Sequence, residues 1–127
     1  IVAPSFNKEV ALMCNRYQVP YVPGSQTVTE VVQAMTYGSD VVKVFPGDIL
    51  GPSFIKDVKG PIPYASLMPS GGVSLDNVAD WVKAGAVAVS AGSAIYKGAK
   101  TGDFDLVTET AKKFVEEFKK AKASLAK

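Results

Sequence analysis

The sequence predicts an α/β fold built on a parallel sheet, and three observations lead to it. Short apolar runs alternate with amphipathic segments at a spacing of about 20 residues. The runs are stopped by proline and glycine, most clearly where Val41-Val42-Lys43-Val44-Phe45 meets Pro46-Gly47. The glycine-rich stretches Ser70-Gly71-Gly72 and Gly92-Ser93 fall directly after such runs. Strand–helix alternation requires right-handed crossovers and therefore parallel pairing. Five such units fit either an open doubly wound sheet or part of a (β/α)8 barrel. Glycine-rich signals just beyond the strands favour the barrel, whose active sites sit on that face. The preference is modest, because open sheets also bind ligands at the carboxyl ends of their strands.

The first run is Ile1-Val2-Ala3, ended by Pro4. Asn7 then reads as an N-cap, with Val10, Met13, Cys14 and Tyr17 at helical spacing as the buried stripe. The second run, Val19-Pro20-Tyr21-Val22, stops at Pro23-Gly24. Thr27 precedes Glu30 by three, which is the spacing of a capping box. Val28, Val31, Val32 and Met35 form the predicted core stripe of that helix, and Gly38 ends it.

The third run holds Lys43 and is followed by a short helix from Gly51-Pro52 with Phe54, Ile55 and Val58 inward, closed by Gly60-Pro61. Ala65-Ser66-Leu67-Met68-Pro69 leads into the first glycine loop. After it Ser74 reads as an N-cap, with Leu75, Val78, Ala79 and Val82 inward and Gly85 as the stop. Trp81, off that stripe, is assigned to packing between helices. The fifth run, Ala86-Val87-Ala88-Val89-Ser90, opens into Ala91-Gly92-Ser93-Ala94-Ile95. A last helix starts near Asp103, with Phe104, Val107, Ala111, Phe114, Val115 and Phe118 on one side.

Composition narrows the function. A chain of 127 residues with a formal charge of +2 fits one domain with a real core. The charges near the end interleave, Lys112, Lys113, Lys119, Lys120 and Lys122 with Glu109, Glu116 and Glu117, as on a solvated helix face. No basic, aromatic-bearing patch for nucleic acid is present. The absence of histidine excludes a Ser-His-Asp triad, a Cys-His pair and a histidine metal site within this sequence. The single cysteine, Cys14, excludes an internal disulfide and reads as a small core residue in a reducing, cytoplasmic setting. No apolar run is long enough for a membrane helix, and no signal-peptide pattern is visible. Opening on Ile1-Val2-Ala3-Pro4 without methionine suggests a protein entered partway through.

The residues that carry chemistry are few. Alternation puts Val41, Lys43 and Phe45 on one strand face and Val42 and Val44 on the other, so both faces are mostly apolar and a covered strand is expected. Burial disfavours an ammonium ion, and a neutral amine in a dry pocket is what imine formation on a ketone requires. A lysine reaching out of the strand end to water is an equally good reading of these residues alone. Gly71-Gly72 and Gly92-Ser93 suit an anion, because glycine lets backbone N–H groups approach a phosphate and a helix N-terminus adds its dipole. Either loop alone is a weak signal; the pair, in successive βα loops, is moderately specific.

The motifs Val-Lys-Val-Phe-Pro-Gly, Pro-Ser-Gly-Gly-Val and Ala-Gly-Ser-Ala-Ile together resemble the bacterial 2-keto-3-deoxy-6-phosphogluconate (KDPG) aldolases, which include the 2-keto-4-hydroxyglutarate (KHG) aldolases. The likeness covers essentially the whole chain. It implies a class I, Schiff-base aldolase with a (β/α)8 barrel, of which residues 1–127 would carry roughly strands four to eight as one partial domain. It implies Lys43 as the imine lysine, with Pro4, Phe45 and Ser70 as substrate contacts. Gly71, Gly72, Gly92 and Ser93 would hold the phosphate, and Phe6 would share the loop of Pro4. The implied substrate is a phosphorylated 2-keto acid, the implied assembly a homotrimer. Neither a metal nor an organic cofactor is expected, since the lysine adduct itself supplies the electron sink.

The departure matters as much. The family's first three βα units have no counterpart here, and with them go the strand-two glutamate that serves as general acid and base and an arginine and threonine that help hold the substrate carboxylate. Glu9, Glu30, Glu109, Glu116 and Glu117 all fall on helical segments and cannot replace that glutamate. Two other readings use the same loops: a different phosphate-binding barrel without an imine lysine, and a non-catalytic phosphosugar-binding module in which Lys43 only pairs with an anion.

Overall fold

A computed structural model describes residues 1–126. Three short strands, β1 (Gly24–Ser25), β2 (Val42–Val44) and β3 (Leu67–Pro69), form a parallel sheet in chain order with β2 central. Gly24 pairs with Lys43, and Lys43 with Met68. Isolated parallel bridges extend the row on both sides, Val2 with Val22 and Ser70 with Ser90. The five predicted segments thus lie side by side in sequence order, but the second is corrected: its ladder strand is Gly24–Ser25, inside the predicted stop, and Val22 of the predicted run makes only the isolated bridge to Val2. The runs expected at the two ends contribute a single bridge each.

Among the described residues six α-helices, with a 3-10 turn at Lys97–Thr101, lie between and after these segments: α1 (Lys8–Arg16), α2 (Val28–Thr36), α3 (Gly47–Lys59), α4 (Val78–Lys83), α5 (Ser93–Tyr96) and α6 (Phe104–Ser124). Side-chain caps account for three of their six starts. Asn7 caps α1 by accepting the Val10 N–H at 3.0 Å, and Asp103 caps α6 by accepting that of Leu106 at 2.9 Å. Thr27 and Glu30 form the full capping box of α2, with Glu30 Oε2 accepting from the Gln26 N–H at 2.7 Å and the Thr27 N–H at 3.0 Å. These bonds hold the Glu30 carboxyl below its ordinary value, the Gln26 N–H contributing most. A depressed folded-state pKa adds stability above the unfolded-state value and loses it as pH falls through the folded one. Thr27→Ala is therefore expected to lower stability by about 1 kcal/mol at neutral pH, and by less in acid once Glu30 is protonated. Urea unfolding at two pH values measures this.

Two predicted helix starts are corrected. Asn77, not Ser74, precedes α4, because the Asn77 side-chain oxygen takes the Ser74 N–H at 2.9 Å and holds residues 74–77 as a turn. The helix after β2 begins at Gly47 rather than Gly51-Pro52, and it is broken where Gly51 adopts φ 69° and ψ 171°. Pro52 then opens the second segment, the position where its missing N–H costs nothing.

The core lies between the sheet and the helices. Val42 and Val44 of β2 and Leu67 of β3 are buried against Val31, Ala34, Ile55, Val58, Val78 and Trp81. Trp81 of α4 is buried in the same core cluster as Phe114 of α6. Several predicted stripe residues are instead exposed: Val10, Met13 and Tyr17 on α1, Val28 and Val32 on α2, and Phe104 and Val115 on α6. Ala11 and Cys14 are the buried positions of α1, and Phe114 and Ala121 those of α6. The expectation that both faces of the lysine strand are covered also fails. Val42 and Val44 are sealed, whereas Val41, Lys43 and Phe45 are half-buried.

An apolar cleft of about 630 Å³ runs between the last paired segment and α6. Its walls include Ala88, Ser90, Phe114 and Phe118, and also Val2 from the opposite end of the five-segment row. The row therefore curls so that its two outermost segments border one space.

Candidate active site

Lys43 occupies the middle of the central strand because Val42, Val44 and Phe45 favour extended backbone around it. Its N–H donates to the Pro23 carbonyl at 2.8 Å, so the strand is fixed on either side. The Nζ atom stands 4.5 Å from the centroid of the Phe45 ring. A ring face attracts a cation and supplies an apolar wall when the amine is neutral. Among the described residues the one ion pair within 4.0 Å joins Lys120 to Glu117, so no carboxylate neutralises Lys43.

Pro4 belongs to the same row. Its backbone carbonyl lies directly where a side chain on Gly24 would project, and Gly24 is the sheet partner of Lys43. Only glycine fits at 24. Phe6, in the same loop, packs with Tyr21 and Tyr37 at ring-centroid distances of 6.5 and 5.5 Å.

Beyond Phe45, whose peptide bond to Pro46 is cis, the chain closes against the first glycine loop. Gly47 donates to the Ser70 carbonyl at 2.7 Å, and Ser70 donates to the Val44 carbonyl at 3.0 Å. A Cβ on Gly47 would fall 2.7 Å from the Gly71 carbonyl oxygen. Gly71 and Gly72 both have positive φ, 91° and 67°, a region closed to most side chains. The point where a Cβ of residue 71 would sit is 3.8 Å from Phe45 Cε2 and 3.4 Å from Asp48 Oδ1. Lys43, Phe45, Ser70 and Gly71 are thus brought together at the carboxyl end of adjacent strands.

Ser70 and Ser90 pair across the next strand position, their hydroxyl oxygens 3.5 Å apart. Gly92 and Ser93 follow two residues later, so their loop leaves beside the Gly71-Gly72 loop and on the same side. Both are exposed, and the Gly92 carbonyl accepts from Ile95 N–H at 2.8 Å to begin the one-turn α5. The large apolar cleft does not include Lys43 and is not this site. Among the described residues no cluster of three or more metal-ligating side chains occurs.

Two contributors escape sequence reasoning. Ser90 shows only through its pairing with Ser70. Asp48 directly follows Phe45-Pro46-Gly47, and that adjacency was the one available signal.

The chain is similar to several known proteins. The family model described as KDPG and KHG aldolase matches residues 1–110. The 2-dehydro-3-deoxy-6-phosphogalactonate aldolase of Escherichia coli (strain K12) is 30% identical over 95% of this chain and 58% of its own. The 2-dehydro-3-deoxy-phosphogluconate aldolase of Treponema pallidum (strain Nichols) is 33% identical over 85% of this chain and 53% of its own. A solved structure described as native KDPGal superposes with a TM-score of 0.88 at 30% identity, covering 95% of this chain and 58% of that one. The chain therefore spans a little over half the length of these relatives. With the motif residues gathered at one end of a parallel sheet and a family model matched across most of the sequence, this chain belongs to the KDPG and KHG aldolase family.

Proposed function

We propose that this chain supplies the imine lysine and the tail-binding loops of a class I aldolase. Its substrate is 2-keto-3-deoxy-6-phosphogluconate, cleaved to pyruvate and glyceraldehyde 3-phosphate, with cleavage of 2-keto-4-hydroxyglutarate to pyruvate and glyoxylate as a second activity. The observation that carries this reading is Lys43 on the central strand, without a carboxylate partner and with Nζ over the Phe45 ring.

Neutral Lys43 Nζ adds to the C2 ketone, and protonation of the carbinolamine hydroxyl followed by loss of water leaves an iminium. The C3–C4 bonding electrons then flow towards the iminium nitrogen while the C4 hydroxyl gives up its proton, releasing the aldehyde and leaving an enamine. Protonation at C3 and addition of water free pyruvate and regenerate the amine. Phe45 walls the pyruvyl end, with Pro4 and Ser70 beside it. Backbone N–H groups of Gly71, Gly72, Gly92 and Ser93 take the phosphate, which needs no charged side chain at the loops themselves. The proton transfers fall to the family's strand-two glutamate, in the part of the relatives that this chain does not span.

In this reading the five parallel segments are strands four to eight of a (β/α)8 barrel. The curled row with Val2 and Ala88 bordering one cleft supports it, as do the exposed stripes on α1, α2 and α6 that await a covering partner. Residues 1–127 are then one partial domain, the whole enzyme a homotrimer acting in the cytoplasm. No helix among the described residues is long and apolar enough to cross a membrane. Coupling pyruvate release to lactate dehydrogenase tests the activity in the intact protein. Pyruvate formed from the phosphorylated keto acid supports the reading; binding of that acid without cleavage would replace it by a phosphosugar-binding module.

A further inference from the structure

The glycine loop after β3 has little of its own to hold it. Gly71 and Gly72 take positive φ in succession, 91° and 67°, and glycine loses more backbone freedom on ordering than any other residue. The Ser70–Ser90 bridge ties down the start of the loop. Beyond it, no backbone N–H or carbonyl of Gly72 or Val73 bonds to another backbone group among the described residues. One side chain takes over that task. Asn77 Nδ2 donates to the Gly72 carbonyl at 2.8 Å, and Asn77 Oδ1 accepts the Ser74 N–H at 2.9 Å. Turning the carboxamide over would set donor against donor and acceptor against acceptor, so both bonds demand this one orientation.

The consequence concerns the substrate tail, given the aldolase reading on which this inference rests. A loop that must order itself around a phosphate loses affinity by that ordering, whereas N–H groups already in place do not. The peptide unit joining Gly72 and Val73 is planar, so a bond that fixes its carbonyl fixes its N–H as well. The Val73 side chain is buried in the core and anchors the far side of that unit. Asn77 therefore supplies the rigidity that two adjacent glycines lack. None of its hydrogen bonds goes to Lys43, Phe45 or Ser70, so the keto-acid end of the site does not depend on it. We propose that Asn77 is a positioning residue, whose carboxamide holds the Gly71-Gly72 loop in the form that binds phosphate.

The test compares the intact protein with Asn77→Ala and Asn77→Asp on 2-keto-3-deoxy-6-phosphogluconate and on 2-keto-4-hydroxyglutarate, which has no phosphate. Asn77→Ala removes both bonds. Asn77→Asp keeps an acceptor for the Ser74 N–H, and with it the turn, and loses only the donor to Gly72. Both should raise KM for the phosphorylated substrate about tenfold with little change in kcat, the loss of about one hydrogen bond. Hydroxyglutarate cleavage and borohydride trapping of pyruvate should stay within about twofold of the parent. Ala79→Gly, inside α4, is the control for a weakened helix alone: it should lower the thermal midpoint by a few degrees and leave KM for both substrates unchanged. Should Asn77→Ala fail to fold, Asn77→Asp at high salt carries the same comparison. An unchanged KM, equal losses on both substrates, the same rise in Ala79→Gly, or a rise in Asn77→Asp that high salt removes as simple charge repulsion overturns the role of Asn77 and leaves the aldolase reading standing. Absence of a pyruvate adduct in the unmutated protein overturns that reading, and this inference with it.

Discussion

Lys43→Arg is expected to abolish aldol cleavage, with kcat falling by about a thousandfold or more, while the far-UV circular dichroism stays that of the parent. A guanidinium stays protonated at every relevant pH and cannot add to a ketone. The side chain is half-buried and has no ion-pair partner, so the exchange breaks no salt bridge. If Lys43 merely paired with an anion, arginine would serve as well or better, since its planar fork suits a carboxylate or phosphate. Ligand binding retained with turnover lost separates covalent chemistry from simple charge pairing. Retained turnover would contradict it.

Gly72→Val is expected to raise KM for the phosphorylated substrate about a hundredfold. Gly72 sits at φ 67°, where a β-branched residue is strained, and its added Cβ would collide with Asp48 Cβ at 2.6 Å. The loop must shift, and with it the N–H groups proposed to hold the phosphate; each such bond to a charged group is worth about 1.5–3 kcal/mol. Ser93→Ala removes only a hydroxyl and keeps its N–H, so its KM should rise less than about tenfold. Cleavage of 2-keto-4-hydroxyglutarate, which has no phosphate, should fall far less than that of the hexonate in Gly72→Val. Equal losses on both substrates, with a lowered thermal midpoint, would mean that the loop has collapsed rather than lost an anion contact.

Local signals in the sequence translated well into structure. Asn7 and Asp103 cap their helices, and Thr27 with Glu30 makes the box that their spacing predicts. These depend on residues three or four apart, which a linear reading can see. The lysine strand and the glycine loop were legible for the same reason. What failed depends on distant partners. Periodicity marked Val28 and Val32 of α2 as apolar, which they are, but it cannot tell whether anything packs on them, and both are exposed. The Ser74 start is the one local exception: the Ser74 N–H bonds to the Asn77 side chain and holds residues 74–77 as a turn, so the helix begins after Asn77.

The central claim is that Lys43 forms a covalent imine, and one measurement meets it directly. The intact protein is incubated with pyruvate and sodium borohydride, digested, and mapped by mass spectrometry. One reduced pyruvyl group per chain is expected, on the peptide containing Lys43, and none in Lys43→Arg. An adduct on Lys56 or Lys59 instead, or no adduct at all, would contradict it.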